Sequence, residues 1–140
     1  MEVGNFNYKA KDVIFKEGQS AGKVYEISSG EVLCLKWNKD RLVPIMIARK
    51  GDRLGEATFI RNGKYNYSAV ALSYTETNPI SIQTYKAEFS KSPEWMPALL
   101  GIMASRLHHT MDLLTENRIG ILSEQEFPPA LEIELKKLLG

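Results

Sequence analysis

The chain has 140 residues, of which 44% are hydrophobic and 25% charged, with a formal net charge of +1. This length predicts one domain with at most a small extension, and the composition is typical of a globular chain that buries a core. Lys and Arg are interspersed with Asp and Glu, so the sequence lacks the basic tract that would indicate a nucleic-acid surface.

The compartment is predicted from the single cysteine and from the apolar segments. Cys34 can form no intrachain disulfide and lies in an apolar alternating run, which predicts a small buried core residue in a reducing environment. No segment is long and apolar enough to span a bilayer, and residues 1–4 carry no leader pattern. The sequence therefore predicts a cytoplasmic protein with no membrane partner.

Short apolar segments separated by turn residues occupy the first half of the chain. Their close, regular spacing predicts an antiparallel sandwich or barrel. Asn38–Asp40 is typical of a hairpin tip, and Thr75–Pro79 is predicted to connect the last two strands. The predicted strands are 13–15, 24–27, 31–37, 43–48, 68–74 and 80–85.

The hydrophobic period changes at Lys86, where helices are predicted. A short helical segment over 86–91 precedes Ser92 and Pro93, an N-cap hydroxyl and a proline suited to the first helical position. We expect Pro97 to kink or restart the long helix that follows, because proline removes a backbone hydrogen bond.

A stripe at alternating spacings of four and three follows that helix, as in a coiled-coil seam. Two fates are open for it, packing on its own barrel or pairing with a second copy, and we expect both, with the distal part forming a homodimer. Asn117 is a polar position in this seam. The stripe consists of Met96, Leu100, Met103, Leu107, Thr110, Leu114, Asn117 and Ile121, of which Leu100, Met103, Leu107, Leu114 and Ile121 are the predicted dimer residues.

The end of the chain is predicted to be a separate short helix. Residues 126–129 break the pattern, and 130–139 are amphipathic, with Glu132 and Lys136 in the favourable i, i+4 order. This helix could dock on its own domain or enter a groove on a partner. Its apolar face consists of Leu131, Leu135, Leu138 and Leu139.

One segment carries the pattern of an anion site. Gly51-Asp52-Arg53-Leu54-Gly55-Glu56 is a turn with two glycines, and Glu56 opens a short predicted helix. The first N–H groups of such a helix are unpaired and lie at the positive end of its dipole, which favours a phosphate.

In this order and spacing, the segments resemble the cyclic nucleotide-binding domain family of the catabolite activator protein and related kinase and channel regulatory domains. The resemblance covers about residues 7–122 and rests on 13–18, 24–32, 51–56, 68–70 and 92–94. It implies a mainly β fold with helices: an eight-stranded β-roll, or flattened jelly roll, at about 7–85, helices at about 86–122 including a long C-terminal one, and an extension at 123–140.

The resemblance also implies a pocket. In the family a glutamate holds the ribose 2′-hydroxyl and an arginine binds the cyclic phosphate, and in the bacterial activator a threonine on the long helix contacts adenine. Glu56 and Thr110 match the first and the last, and Arg106 matches an arginine that braces the glutamate, whereas Tyr67 or Asn66 stands where the phosphate-binding arginine belongs. The candidate pocket is Gly55, Glu56, Ala57, Tyr67, Ser68, Ala69, Arg106 and Thr110.

The loss of that arginine shapes the predicted function. A bidentate guanidinium–phosphate pair provides two charge-assisted hydrogen bonds worth roughly 1.5–3 kcal/mol each, so its loss weakens binding about a hundredfold or more. We therefore predict a non-enzymatic regulatory module with a degenerate cassette, acting through contacts with an unidentified protein partner. The alternative is a functional sensor of cAMP or cGMP, stand-alone or part of a longer signalling enzyme.

Other activities are not expected. About twenty residues follow the long helix, too few for a helix-turn-helix module, so no DNA partner is predicted. His108 and His109 are adjacent on a helix and point apart, so they are not predicted to bind a metal. The only ligand that the resemblance implies is cAMP or cGMP.

Overall fold

The structure, a computed structural model, describes residues 5–55, 63–116, 122 and 125–140. Within these residues eight antiparallel strands form two four-stranded sheets, in the orders β1-β8-β3-β6 and β2-β7-β4-β5. The predicted fold class, a β-roll followed by helices, is confirmed. The strands are β1 (Phe6–Tyr8), β2 (Val13–Phe15), β3 (Lys23–Ser29), β4 (Val32–Asn38), β5 (Arg41–Ala48), β6 (Arg53–Leu54), β7 (Ser68–Ala71) and β8 (Thr75–Ser81).

The main core lies between the two sheets. In β4, Val32 and Cys34 point into this interior and are fully buried. The interior cluster draws residues from both sheets, which is what closes the roll. It consists of Ile14, Phe15, Tyr25, Ile27, Val32, Cys34, Ala48, Leu54, Tyr65, Tyr67 and Ala69.

A second core lies on the outer face of the β2-β7-β4-β5 sheet, under the C-terminal helix. Leu33 and Leu35 alternate with the interior residues of β4 and face outward, yet they too are fully buried. Because β4 is covered on both faces, its sequence is continuously apolar rather than alternating. The cluster is completed by Leu42, Val70, Leu135 and Leu139.

In the part of the chain that the structure describes, three helices follow the strands: α1 (Ile82–Phe89), α2 (Trp95–Glu116) and α3 (Pro129–Leu139). Ser81 caps α1, since its hydroxyl accepts a hydrogen bond from the Thr84 amide at 3.1 Å. Pro129 opens α3 at a position where a missing N–H costs nothing.

Two predicted boundaries near β8 were wrong. The predicted strand at 80–85 and the preceding connection are in fact strand β8 followed by α1, which begins at Ile82 rather than at Lys86. Pro79 was interpreted as a turn residue, but it lies in β8 opposite Tyr25. Among the described residues, the pairing of β1 with β8 runs from Thr75 to Thr77 and does not include Pro79.

The expected kink at Pro97 was also wrong. Helix α2 begins at Trp95, two residues after the predicted start, and continues through Pro97 without interruption. Pro97 therefore lies in the first turn, where backbone N–H groups have no intrahelical acceptor and proline is tolerated.

The C-terminal helix docks on its own domain. Leu135 and Leu139 are 1% and 7% exposed and pack against the outer face of the sheet. The buried Glu132 carboxylate accepts hydrogen bonds from Arg41 Nε at 2.8 Å, Arg41 Nη2 at 3.0 Å and the Leu42 amide at 3.1 Å. Of the two fates left open for this helix, the structure shows docking on its own domain, since residues of β4, β5 and β7 cover Leu135 and Leu139.

Candidate functional site

The glycine-containing turn is built as the sequence predicts. Gly51 and Gly55 both have positive φ, 94° and 87°, a backbone conformation that favours glycine. The turn is fixed to β3 because the Gly51 amide donates to the Ile27 carbonyl at 2.9 Å and the Ile27 amide donates to Asp52 at 2.9 Å. A Cβ on Gly55 would lie 2.8 Å from Cε1 of Tyr65, so Gly55 also permits a close approach. Glu56 and Ala57 lie outside the described residues.

The three residues at the predicted phosphate position are all engaged by the protein itself. Tyr67 is 8% exposed, points into the interior and accepts a hydrogen bond from the Gly55 amide at 3.1 Å. Ser68 points to the opposite face, is 1% exposed and accepts from the Glu17 amide at 2.9 Å. The Asn66 side chain lies 3.1 Å from Nδ1 of His108 on α2. Tyr67, rather than Asn66, is therefore the residue that contacts Gly55, and Ala69 is fully buried.

Aromatic rings fill the interior beside this turn. Phe15 stacks on Tyr65 with ring centroids 3.9 Å apart and lies 5.4 Å from the Tyr67 ring. The Tyr65 hydroxyl donates to the Lys23 carbonyl at 2.7 Å. Burial, and then the neighbouring Tyr25, raise the pKa of Tyr65 to about 12, so this ring stays neutral at physiological pH. These aromatic side chains provide packing contacts and hydroxyl groups, but no positive charge that could pair with a phosphate.

A cavity of about 480 Å³ opens on the other side of these rings, towards the loop between β2 and β3. Its described lining contains none of the described pocket candidates, which are Gly55, Tyr67, Ser68, Ala69, Arg106 and Thr110. Its lining is Ile14, Phe15, Gln19, Ser20, Gly22, Lys23, Tyr25 and Tyr65.

The sequence analysis missed a buried cation, Lys36, which lies beside Asn66. Lys36 follows Val32 and Cys34 on the inward side of β4, and its side chain is 10% exposed. Its ammonium donates to the Asn66 carbonyl at 2.8 Å and lies 3.5 Å from carboxylates of both Glu17 and Asp112. A lysine at an inward position of an apolar strand was the signal available in the sequence. We call Glu17, Lys36, Asn66, His108 and Asp112 the Lys36 cluster.

Helix α2 presents different residues to the roll from those expected. Arg106 and Thr110 are exposed, and the Thr110 hydroxyl donates to the Arg106 carbonyl of its own helix at 3.0 Å. On the side facing the roll, Met111 packs on the interior cluster, and Thr115 is 3% exposed. The structure therefore groups Gly55, Tyr67 and Ala69 but leaves Arg106 and Thr110 on the solvent side.

The predicted dimer residues are mostly exposed on α2. Met103, Leu107 and Leu114 are 56%, 61% and 41% exposed, whereas Leu100 is half-buried. Ile121 and Asn117 lie outside the described residues. The exposed apolar stripe is wider than predicted and also includes Trp95, Leu99, Ile102 and Leu113.

No group of three His, Cys, Asp or Glu side chains among the described residues could hold a metal ion. None of the helices in the described part of the chain is long and apolar enough to cross a membrane.

The sequence profile of the cyclic nucleotide-binding domain matches residues 5–90. Since this match covers more than half of the chain, the chain belongs to the cyclic nucleotide-binding domain family, as the resemblance predicted. No curated protein matches the sequence.

Solved structures show the same fold. The cAMP-bound EAL enzyme Bd1971 is 21% identical with a TM-score of 0.75, covering 81% of this chain and 30% of that one. The catabolite activator protein of Thermus thermophilus is 24% identical with a TM-score of 0.63, covering 80% and 55%. The sensor domain of the transcriptional regulator DNR from Pseudomonas aeruginosa is 20% identical with a TM-score of 0.64, covering 78% and 74%. This chain therefore spans only 30% of the length of the EAL enzyme.

Proposed function

We propose that this chain is a non-enzymatic regulatory module that binds cyclic nucleotides weakly or not at all and acts through protein–protein contacts. The observation that carries the proposal is the hydrogen bond from the Gly55 amide to the Tyr67 hydroxyl. The resemblance to the family assigns its phosphate-binding arginine to position 67 or 66. A single buried cysteine, Cys34, is compatible with the reducing cytoplasm, in which we expect the module to work.

Weak binding follows from both the missing group and the group that replaces it. A neutral phenol cannot supply the two charge-assisted bonds of a guanidinium, which costs about a hundredfold or more in affinity. The Tyr67 hydroxyl also occupies the Gly55 amide, so a ligand would have to displace an existing hydrogen bond. Lys36 does not replace the arginine, because two carboxylates already neutralise it.

Titration calorimetry with cAMP and with cGMP tests the proposal directly. We expect dissociation constants in the micromolar range or weaker, or no measurable heat, for both nucleotides. Submicromolar binding of either nucleotide would overturn the proposal. In that case Glu56→Ala should abolish most of the binding, since the ribose hydroxyl would lose its acceptor.

A working nucleotide sensor is the second candidate. It is supported by the structural match to an EAL enzyme solved in cAMP-bound and cGMP-bound forms, of which this chain spans 30% and 28%. In this alternative the chain is a sensory part of a longer signalling protein, and the same calorimetric titration separates the two candidates.

The output of the module is proposed to leave through α2. Its exposed apolar stripe is centred on Met103 and Leu107. This stripe holds most of the large hydrophobic side chains that are exposed among the described residues. We infer that two copies pair along this stripe as a homodimer, and that further protein partners bind the assembled dimer.

A further inference from the structure

Helix α2 is attached to the roll through polar as well as apolar contacts. Met111 and Thr115 supply the apolar and buried part of this face. Beside them His108 and Asp112, one helical turn apart, project towards the same side with 25% and 37% of their side chains exposed. These two side chains belong to the Lys36 cluster.

The cluster connects α2 to two separate segments of the roll. Asp112 Oδ1 lies 3.5 Å from the Lys36 ammonium on β4. His108 Nδ1 lies 3.1 Å from the side-chain nitrogen of Asn66, just before β7. Lys36 also donates to the Asn66 carbonyl at 2.8 Å, so the two connections share a common member.

The hydrogen bonds and ion pairs of the cluster can all form at the same time. If Nδ1 of His108 accepts from the Asn66 amide, its proton is on Nε2, which lies 3.2 Å from Asp112 Oδ2 and can donate to it. Each carboxylate oxygen of Asp112 then has its own partner, His108 or Lys36. Glu17 on the far side of Lys36 is fixed in turn, because it accepts from the Trp37 amide at 3.0 Å.

We propose that the Lys36 cluster is a latch that fixes α2 on the roll without a bound ligand. Asn66 is the central element, since it contacts both α2 and Lys36 and is followed directly by Tyr67, which closes onto Gly55. The position of α2 is thereby set by protein side chains. This inference goes beyond the proposed function, because it concerns how the helix is held and stands whether or not a nucleotide binds.

The latch depends on charge, so removing one member has a defined effect. Without Lys36, the carboxylates of Glu17 and Asp112 lose their common cation and repel each other. Without the Asp112 charge, Lys36 keeps Glu17 and Asn66, but α2 loses its ionic connection to β4. Both changes should release α2 while the interior cluster remains packed.

The test is an intrachain distance measured by pulsed electron spin resonance. Spin labels are attached through Lys50→Cys and His109→Cys, at two exposed positions, one at the end of β5 and one on α2. Cys34 is fully buried and should not be labelled. Dilution with unlabelled protein removes distances between copies. We expect one narrow distribution in the otherwise unmodified chain and a broadened one in both Lys36→Met and Asp112→Asn.

Two controls separate the latch from general loss of structure. Glu116→Gln removes a carboxylate from an exposed position of the same helix and should leave the distribution narrow. The double variant of Lys36→Met with Asp112→Asn should broaden the distribution no more than the stronger single variant, since both act on one contact. Asp112→Asn changes a partly exposed helix position, so it reports on the latch even if Lys36→Met fails to fold.

A distribution that stays narrow in Asp112→Asn would overturn the latch, as would an equal broadening in Glu116→Gln. Repeating the measurement with cAMP keeps the two proposals apart. A shift in the unmodified chain that saturates at submicromolar cAMP would contradict the proposed weak binding, while the variants measured without nucleotide still decide the latch.

Discussion

Tyr67 contributes to the interior in two distinct ways. Its ring lies 5.4 Å from the Phe15 ring, and its hydroxyl accepts the Gly55 amide at 3.1 Å. The ring contributes packing, whereas the hydroxyl satisfies a backbone N–H that would otherwise need a ligand or water. A single side chain therefore completes both the core and the turn.

Tyr67→Arg should lower the stability of the domain and raise its affinity for cAMP. The guanidinium would replace a buried ring of the apolar interior cluster, so we expect a lower Tm without ligand. Millimolar cAMP should raise that Tm more than it raises the Tm of the unmodified chain, because the cyclic phosphate would pair with the arginine. Thermal unfolding with and without the nucleotide measures both effects.

Tyr67→Phe is the matched control for this experiment. It removes only the hydroxyl, at a cost of about 1 kcal/mol, and supplies no cation. No nucleotide-dependent shift is expected for it. A Tyr67→Arg variant whose Tm does not respond to cAMP would show that position 67 is not the arginine position.

Glu132 should make the stability of the fold depend on pH. Hydrogen bonds from Arg41, and then from the Leu42 amide, outweigh burial and lower the pKa of this carboxyl. A carboxyl whose folded pKa lies below its unfolded value stabilises the fold at neutral pH, and this contribution is lost as the pH falls through the folded pKa. Glu132→Gln should therefore be less stable than the unmodified chain at pH 7, and the difference should narrow in acid.

Urea unfolding at a series of pH values measures this difference. Glu134→Gln is the comparison, because Glu134 pairs with Lys11 at an exposed position and should contribute little. A gap between the Glu132→Gln variant and the unmodified chain that is constant between pH 7 and pH 3 would contradict the assignment.

At the scale of helices and strands, the sequence predicted whether a segment is a helix or a strand better than it predicted where that segment begins and ends. The regular spacing of short apolar segments predicted a sandwich or barrel because this pattern is local, and the family resemblance implied the β-roll. The start of α1 could not be found in the same way, since Pro79 is locally typical of a turn and its place in β8 depends on pairing with Tyr25, which is distant in sequence. The docking of α3 was left open because an amphipathic face does not specify the surface that covers it.

In the candidate site, too, the local features were predictable and the long-range contacts were not. Gly51 and Gly55 were predictable because their backbone conformation favours glycine. The hydrogen bond from Gly55 to Tyr67 and the ion pairs of Lys36 were not, since they join residues distant in sequence whose directions depend on packing. Arg106 and Thr110 were assigned by matching positions on a helix, and the rotation of α2 places other residues towards the roll.

Leu135→Ala should destabilise the whole domain, not α3 alone. Leu135 is 1% exposed between α3 and the sheet, so its truncation is expected to cost about 2–5 kcal/mol. Ile133→Ala on the same helix, at a position that is 55% exposed, should have a much smaller effect. Chemical denaturation followed by circular dichroism measures both.

Deletion of the residues after Glu126 provides a second measurement on the same helix. It would expose Leu33, Leu35 and Val70 on the outer face of the sheet, so the truncated chain should unfold at lower denaturant concentration. Unchanged stability in this chain would show that α3 is not docked in solution.

At the scale of the whole molecule, the exposed stripe of α2 predicts self-association. Leu107→Glu combined with Leu114→Glu would place charges in the seam and should convert a dimer to a monomer. Multi-angle light scattering measures the mass of each species. Ile133→Glu introduces the same charge on an exposed position of α3 and should leave the dimer intact. A monomeric mass for the unmodified chain at high concentration would refute the pairing.

The fully buried Cys34 gives this molecule an intrinsic reporter of its own opening. Its sulfur lies between two sheets that must separate before a thiol reagent can enter. Its modification rate therefore follows the fraction of molecules in which the roll is transiently open. Variants that loosen only α2 should leave that rate unchanged, whereas Leu135→Ala should increase it. One reagent added to the native chain thus distinguishes movement of a helix on the surface from separation of the sheets beneath it.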